Sequence, residues 1–476
     1  MTPYQATSSQ PWGVARAAHL WRRAGFGLDA EQVERLTVEG AQAGVRRLVR
    51  NAIEAGEPPR PSWADLSRPP RSASAAQRRE YEEANRLGQR EAREHLVLEA
   101  LGARHPGSPL RERLALLWHS VIPVDGSATG GRSHRVHEYW SVLRRNALGR
   151  YDAIVREVGL TQAMLVYLNG NQNRSGQPNE NYARELLELF TMGITDLSGA
   201  PNYTQQDITE LSRALTGWTV SGTLLEAEFV DRRFDDSDKT VFGVSGPLDY
   251  DGAIDVIFSA RRRPIAEYVA SRLYREFVHD TPNTQVVAEL ADVLEGADFV
   301  VMDAVVALLS SAHFFSDGVM GSKIKGALEH SVGIVATLAP SDPLPHAQRT
   351  IRNGGEAGQS PFNPPDVSGW DTGRRWLDTS TLPARWLNSD DLIGRSTLAQ
   401  DFVRSLPDPF DPYAVVADSA QILVAVPISD ADGGQALEIL LAGIPDYEWD
   451  PTAATAPGRI RSMLRFLARL PEFQLV

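Results

Sequence analysis

Apolar residues recur at helical spacing along almost the whole chain, and this pattern limits the possible fold more than any other feature. In residues 12–24, for example, Ala18, Leu20 and Trp21 lie on one broad apolar face. Apolar residues spaced three to four positions apart are typical of a helix that packs one face on a core. The sequence therefore predicts a mostly α-helical protein, built as one large multi-helix domain.

Helix starts can be located from side chains that cap free backbone N–H groups. Asp29, Ser74 and Thr204 each stand just before a helical pattern, where a side-chain oxygen can accept a hydrogen bond from the first turn. Asp207, three residues after Thr204, completes a pattern that resembles a capping box. We expect Ser74 to begin a long helix over residues 75–103.

A few segments interrupt the helical pattern. Residues 56–72 are rich in proline and predict an exposed linker, and alternation within 218–244 predicts a small inserted β-hairpin. Residues 353–376 are rich in glycine, proline and asparagine, and an ordered loop of this length usually carries function. We expect residues 1–376 to form the helical core. Residues 377–476 are predicted to be helical as well, either as a subdomain or as part of the same domain.

The composition excludes several classes of chemistry. The chain has 476 residues and no cysteine, so it has no disulfide, no thiolate nucleophile and no thiolate-bound cofactor. Its net charge of −13 argues against nucleic-acid binding, which depends on clustered Lys and Arg. The sequence contains no glycine-rich phosphate loop and no common hydrolase motif, so we expect no nucleotide cofactor.

Hydropathy predicts no membrane span. The most hydrophobic stretches, residues 299–309 and 436–444, are too short to cross a bilayer, and each contains an acidic residue. Residues 1–12 are polar and lack the basic and apolar regions of a signal peptide. As written, the sequence predicts a cytoplasmic protein; it predicts an exported one if an N-terminal signal was trimmed.

The segment PNENYARELLELFTMG, residues 178–193, predicts a helix with two carboxylates on one face. Asn179 is expected to cap it, and Glu185 and Glu188 are spaced so that they can share a proton or a cation. They are therefore candidates for a general acid/base pair and, more weakly, for metal ligands. The alternative is a capped helix whose carboxylates pair with neighbouring arginines. The candidates for substrate binding on this helix are Asn179, Asn181 and Arg184.

His119 and the Pro- and Trp-rich loop supply the remaining candidates. His119 stands on an apolar helix, where a histidine is either a hydrogen-bonded core residue or a catalytic group. In the sequence FNPPD, two prolines stiffen the backbone between Asn363 and Asp366, which are also catalytic candidates. Trp370 and Trp376 follow, and tryptophans beside polar groups suit a sugar- or peptide-binding cleft. The alternative is an ordered loop that its tryptophans attach to the helical body.

Several blocks of sequence, spread over most of the chain, carry a further signal. They are AAHLWRRAGFG (17–27), RERLALLWHSVIPV (111–124), PNENYARELLELFTMG (178–193), YTQQDITELSRALTGWTV (203–220), GSKIKGALE (321–329) and GQSPFNPPDVSGWDTGRRWL (358–377). In this order they resemble the bacterial family catalogued as domain of unknown function 1800. The resemblance implies a bacterial protein, often exported, and a candidate partner, since members are frequently encoded beside sulfatase-like proteins. The family has no established activity, so the resemblance supplies no catalytic residues.

The chain departs from the family pattern at several histidines. Val121 stands where a typical member has a second histidine. Phe234 replaces the histidine of a His-Asp pair, and Arg263 replaces that of a His-Pro pair. The chain therefore resembles a divergent member, and any site that those histidines build in relatives would be incomplete here.

Two hypotheses of different classes remain. In the one that the missing histidines favour, the protein is a non-catalytic helical partner or scaffold, and the motifs hold the fold together. In the alternative it is a hydrolase-type enzyme, metal-assisted or not, in which the 178–193 helix and the FNPPD loop line one cleft. The first predicts carboxylates that are paired with arginines, and the second predicts that the two motifs are neighbours.

Overall fold

The structure confirms a mostly α-helical protein. It is a computed structural model, and it describes residues 1–102, 108–220, 225–340, 342–394 and 398–476. In that part of the chain, two small two-stranded sheets accompany the helices. Across the same ranges, no helix combines the length and the apolar character that crossing a membrane requires.

The first half of the chain is a series of helices. In chain order they are α1 (Val14–Ala24), α2 (Ala30–Glu39), α3 (Ala41–Glu54), α4 (Ala75–Ala100), α5 (Pro109–Val121), α6 (Ser133–Arg145), α7 (Tyr151–Gly159), α8 (Gln162–Tyr167), α9 (Glu180–Glu188) and α10 (Gln205–Ala214). The helix predicted over residues 75–103 ends at Ala100, and residue 103 lies outside the described residues.

The predicted helix caps are confirmed. Asp29 accepts a hydrogen bond from the N–H of Gln32 at 3.1 Å. Ser74 forms a capping box at the start of α4, and Thr204 forms one with Asp207 at the start of α10. These short-range bonds satisfy N–H groups that would otherwise lack an acceptor, and they explain why the helices begin where they do.

The region predicted as one hairpin contains two. β1 (Trp218–Val220) pairs antiparallel with β2 (Ala227–Phe229), and β3 (Lys239–Val241) pairs antiparallel with β4 (Val244–Gly246). The prediction merged them because both show the same short alternation, and its residues 221–224 lie outside the described part.

The second half of the chain is helical again. Its helices are α11 (Tyr250–Ala260), α12 (Arg262–Phe277), α13 (Thr284–Gly296), α14 (Val301–Leu309), α15 (Ala327–Leu338), α16 (Leu344–Glu356), α17 (Thr381–Gly394), α18 (Leu398–Arg404), α19 (Pro412–Leu423), α20 (Asp430–Leu441) and α21 (Ala456–Arg469). Helix α16 occupies the first residues of the predicted loop 353–376. The remainder, residues 357–376, is called the Pro/Trp loop below.

Two large hydrophobic clusters form the core. The first draws most of its buried side chains from α1 to α15, and it also includes Ala347 of α16 and Phe362 of the Pro/Trp loop. The second is built by the C-terminal helices α17 to α21 together with Ile334, Val335 and Leu338 of α15. Helix α15 therefore joins the C-terminal part of the chain to the rest, because side chains from it contribute to both clusters.

The Pro-rich segment 56–72 is less exposed than expected. It contains a 3₁₀ turn, Ser62–Asp65, in which Trp63 and Ala64 are buried. The ring of Trp63 contacts His95 of α4 and His137 of α6. Part of this segment is therefore packed against the helical body.

Candidate functional site

The 178–193 motif forms α9, whose start is fixed by a network of asparagines. Asn179 accepts a hydrogen bond from the N–H of Asn181 at 3.0 Å, and its amide donates to the carbonyl of Asn169 at 3.3 Å. The amide of Asn181 donates to the carbonyl of Leu168 at 3.4 Å. Both asparagines proposed for substrate binding are thus engaged in holding the entry to the helix.

Glu188 and Arg184 are committed to each other and to neighbouring side chains. Glu188 accepts a hydrogen bond from the hydroxyl of Tyr203 at 2.6 Å and lies 3.3 Å from Arg184. Arg184 also lies 3.4 Å from Glu180 and donates to the side chain of Gln205 at 3.0 Å. Glu188 is therefore paired with a neighbouring arginine, as the alternative of a purely structural helix predicts.

The charges of Glu185 and Asp366 both act on the phenol of Tyr167, at the end of α8. Burial is the main cause that raises the pKa of Tyr167 to about 12, and the nearby charges of Asp125, Asp366 and Glu185 raise it further. Burial also raises the pKa of Glu185, with Glu188 and Asp366 as further causes. Carboxylates of helix α9 and of the Pro/Trp loop therefore lie close enough to influence each other, and the hydrolase alternative depends on such proximity.

The other polar residues of the FNPPD sequence shape the loop. The carboxylate of Asp366 accepts hydrogen bonds from the N–H of Ser368 at 2.8 Å and from its hydroxyl at 2.5 Å. The N–H of Asn363 donates to the carbonyl of Ser360 at 3.1 Å, and its side chain is exposed. Asp366 thus stabilises a turn while it also faces the Tyr167 cluster.

His119 is a buried residue that joins α5 to the Pro/Trp loop. Its side chain is 1% exposed, and Nε2 accepts a hydrogen bond from the backbone N–H of Phe362 at 3.1 Å. Nδ1 therefore carries the proton in the neutral ring and donates to the hydroxyl of Tyr139, 2.7 Å away, which donates in turn to the carbonyl of Ile122. Burial lowers the pKa of His119 to about 3, so the ring is neutral at physiological pH.

The Pro/Trp loop is held against α5 by close backbone contacts as well. Phe362 adopts the left-handed region, with φ of 58°, and its carbonyl accepts a hydrogen bond from Gly126 at 2.8 Å. Gly369 has φ of 84°, and a Cβ there would lie 2.2 Å from the carbonyl oxygen of Ser120. A non-glycine residue in the left-handed region is strained and persists only where surrounding contacts hold it.

The two tryptophans of the loop are largely buried, and the exposed part of each lines a small pocket. Trp370 is 8% exposed and Trp376 is 7% exposed, and together with Ala327 and Ala357 they form a small hydrophobic cluster. The ring of Trp370 lies 5.0 Å from that of His119. The expectation that the tryptophans attach the loop to the helical body describes this arrangement.

A pocket of about 110 Å³, which the sequence did not reveal, lies beside these tryptophans. Side chains of α5, α12, the start of α15 and the Pro/Trp loop line it. Among them Arg113 pairs with Glu276 at 2.8 Å and with Glu329, and Lys323 pairs with Glu329 at 3.1 Å. Arg113 is buried, and such a buried charge is tolerated because carboxylates neutralise it.

Further charged side chains of the same pocket come from α12 and the turn that follows it. Arg272 donates to the hydroxyl of Tyr268 at 2.8 Å, and Arg275 donates to the backbone carbonyl of Asp280 at 2.6 Å. Burial raises the pKa of Asp280, while Lys323 acts in the opposite direction. A Cβ on Gly373 of the loop would lie 2.5 Å from the carboxylate of Asp280, so the loop approaches that side chain closely.

A signal for this pocket was present in the motif blocks. Arg113 belongs to RERLALLWHSVIPV, Lys323 and Glu329 belong to GSKIKGALE, and Trp370 belongs to the last block. Blocks that are far apart in sequence thus meet at one place. Arg272 and Arg275 belong to none of the blocks, and their spacing is also that of an ordinary solvated helix face.

The positions of the missing histidines have different neighbours. Val121 lines the pocket, the ring of Phe234 lies under the ammonium group of Lys239, and Arg263 pairs with Glu267 and with two carboxylates of α13. Over the part of the chain that the structure describes, no group of three or more His, Asp or Glu side chains is arranged to hold a metal ion.

These features define a class of helical protein in which a buried histidine holds an ordered loop beside a small charged pocket, and buried ion pairs join distant helices at that pocket. The family described as "Protein of unknown function (DUF1800)" matches residues 19–475, nearly the whole chain. The chain belongs to this family. Neither a curated protein nor a solved structure matches it.

Proposed function

We propose that this protein is a non-catalytic helical partner protein, whose motif residues hold the fold. The observation that carries the proposal is the state of His119. Both of its ring nitrogens are hydrogen-bonded, and its side chain is 1% exposed. A general base needs a free nitrogen within reach of the substrate, and His119 has none.

The interactions of the other candidate residues also support the proposal. Glu188 is bonded to Tyr203 and paired with Arg184. Trp370 and Trp376 are largely buried and pack in a small hydrophobic cluster with Ala327 and Ala357. Each of these side chains is already bonded or buried within the fold, as we expect if the motifs have a structural role.

An apolar groove between α1 and the C-terminal helices is the surface that we assign to the partner. It has a volume of about 840 Å³, and its walls are mostly apolar side chains of α1, α19 and α20. Tyr413 lines it and is 56% exposed. Exposed apolar surface with an aromatic residue is typical of a protein interaction site, because the surface is costly to leave in water.

The proposed occupant is an apolar segment, flanked by basic residues, of a sulfatase-like protein. The groove carries exposed acidic side chains, Asp317 and Asp430. The guanidinium group of Arg22 also lines it but already donates to the carbonyls of Gln421 and Ile422. The partner class comes from the family, whose members are frequently encoded beside sulfatase-like proteins.

The experiment measures binding of a sulfatase-like protein of the kind encoded beside members of this family, by isothermal titration calorimetry. Ala417 lines the groove and is exposed, so Ala417→Glu places a charge in the groove without disturbing the core. We expect this variant to bind at least about tenfold more weakly than the wild type. Ala76→Glu, at an exposed position of α4 that does not line the groove, is the matched control and keeps wild-type affinity. Absence of binding by the wild type, or equal losses in both variants, contradicts the proposal.

The hydrolase alternative keeps one specific observation in its favour. The charges of Glu185 and Asp366 act on Tyr167 and on each other, and burial raises the pKa of Glu185 in the direction that a general acid needs. Its test is turnover of sulfate-ester and glycoside substrates by the wild type and by Glu185→Gln. Turnover that Glu185→Gln abolishes would replace the partner proposal.

A further inference from the structure

The small charged pocket contains hydrogen-bond donors that the fold leaves without anionic partners. Arg272 and Arg275 line it, and in the described residues neither has a carboxylate within ion-pair distance. Their bonds go to a phenol and to a backbone carbonyl, which leaves other N–H groups of both guanidinium ions for a ligand. Both side chains are partly exposed, so a molecule from solvent can reach them.

A buried donor at the same pocket points to a ligand independently. Trp370 is 8% exposed and lines the pocket, and its indole N–H is buried and has no acceptor. Buried donors without an acceptor are rare, because such a group has lost its bond to water and gained nothing in return. Other atoms of the Trp370 ring line the pocket, so an acceptor bound there reaches this N–H group after a small movement of the ring.

The balance of charge decides the sign of the ligand. The positive charges of Arg113 and Lys323 are met by Glu276 and Glu329. The remaining carboxylate, Asp280, lies near Lys323 and Arg275. Asp371 is paired with Arg375 at 2.8 Å. Arg272 is therefore the cation of the pocket that is least neutralised.

We propose that this pocket binds a small oxyanion, namely phosphate, sulfate or a carboxylate group, through Arg272, Arg275 and the indole N–H of Trp370. Planar guanidinium groups bind oxyanions with paired N–H···O bonds, and an indole N–H adds one directed donor. The pocket has room for several water molecules and hence for one such group. Binding at this site is separate from the partner groove, so either proposal can fail without the other.

The experiment titrates the full chain with phosphate, sulfate or acetate in a calorimeter, with chloride at the same ionic strength as the reference. The variant Arg272→Gln/Arg275→Gln removes both free guanidinium groups. Its control is Arg46→Gln/Arg50→Gln, which removes the same charge from two exposed positions of α3. We expect the first variant to bind at least about tenfold more weakly and the control to bind like the wild type. The three anions distinguish which oxyanion the pocket prefers.

A second variant, Trp370→Phe, guards against a loss caused by misfolding. It deletes the indole N–H and keeps an aromatic ring in the hydrophobic cluster. We expect it to unfold in one cooperative transition at a melting temperature somewhat below that of the wild type, because a smaller ring fills the cluster, and its anion affinity to fall by several fold. Oxyanions that bind no better than chloride would overturn the proposal, and so would equal affinities in the pocket variants and the α3 control.

Discussion

The Nε2 atom of His119 and the backbone nitrogen of Phe362 lie 3.1 Å apart in a hydrogen bond that joins α5 to the Pro/Trp loop. The bond is buried, and it holds a residue whose backbone is in the left-handed region. It therefore links the strained part of the loop to the main core. In this account the histidine acts as a structural tie between two family motifs.

Replacement of His119 by phenylalanine is expected to destabilise the fold. A slightly larger aromatic ring takes its place, and the N–H of Phe362 loses its acceptor while it remains buried. An unsatisfied buried donor costs about 1–3 kcal/mol in the free energy of unfolding. Urea denaturation at neutral pH measures the difference, and a loss below the experimental error would contradict this role.

The same histidine predicts a dependence of stability on pH. Burial lowers the pKa of His119 to about 3 from the usual 6.5, so below pH 6.5 the unfolded chain binds a proton that the folded chain does not. Its contribution is therefore fully present above pH 6.5 and is lost as the pH falls towards 3. The slope is at most about 1.4 kcal/mol per pH unit.

His119→Phe removes this titrating group, so the wild type and the variant must respond differently to acid. Their free energies of unfolding, measured by urea denaturation in a series of buffers below pH 6.5, are expected to converge as the pH falls. Parallel curves over that range would show that the pKa of His119 is the same in both states.

The buried ion pairs of Arg113 are expected to be costly to break from one side. Arg113→Met leaves Glu329 and Glu276 without this partner, and removal of one member of a buried pair costs about 3–5 kcal/mol. Arg375→Met is the matched control, because Arg375 and Asp371 form an exposed pair that solvent screens, so its loss has little effect on stability. Urea denaturation ranks the two variants, and equal losses would contradict the assignment.

Neutralising the two carboxylates of α9 is expected to affect stability differently: Glu188→Gln lowers it and Glu185→Gln does not. Glu188→Gln weakens the bond to Tyr203 and the pair with Arg184, and a lost hydrogen bond to a charged group costs about 1.5–3 kcal/mol. Glu185→Gln removes a charge that Glu188 and Asp366 repel, so stability is expected to be unchanged or slightly higher. Denaturation at neutral pH compares them, and a larger loss in Glu185→Gln would contradict the geometry.

The purified protein is expected to lack a stoichiometric metal ion. The weak metal candidates, Glu185 and Glu188, have no third ligand of the His, Asp or Glu type arranged around them in the described ranges. Elemental analysis, with the melting temperature measured in the presence and absence of a chelator, checks this. A bound metal that is lost in Glu185→Gln would favour the hydrolase alternative.

Local chemistry made much of the fold predictable. Ser74 and Thr204 cap their helices with neighbours three residues away, so sequence alone locates those starts. Helix α16 was not predicted, and its last residues were assigned to the loop because Gly354 and Gly355 resemble loop residues. There a Cβ on Gly354 would lie 2.9 Å from the carbonyl of Gln359, so close packing rather than helix propensity explains this glycine.

The candidate site was less predictable because it depends on contacts between distant residues. The hydrolase alternative predicted that Glu185 and Asp366 would lie near each other, but the sequence contained no sign of the hydrogen bond between Glu188 and Tyr203. The pocket joins Arg113, Lys323 and Trp370, which are separated by more than two hundred positions of sequence at their extremes. Spacing along one helix cannot reveal such a convergence.

The most direct test of the structural role of the motifs is an NMR titration of His119 in protein labelled with ¹⁵N-histidine, with His119→Phe used to assign its signal. The account predicts a neutral ring with its proton on Nδ1 and a pKa far below 6.5, near the value of about 3 that burial produces. A pKa near 6.5, or a shift of this signal when a divalent metal is added, would contradict it and return His119 to the list of catalytic candidates.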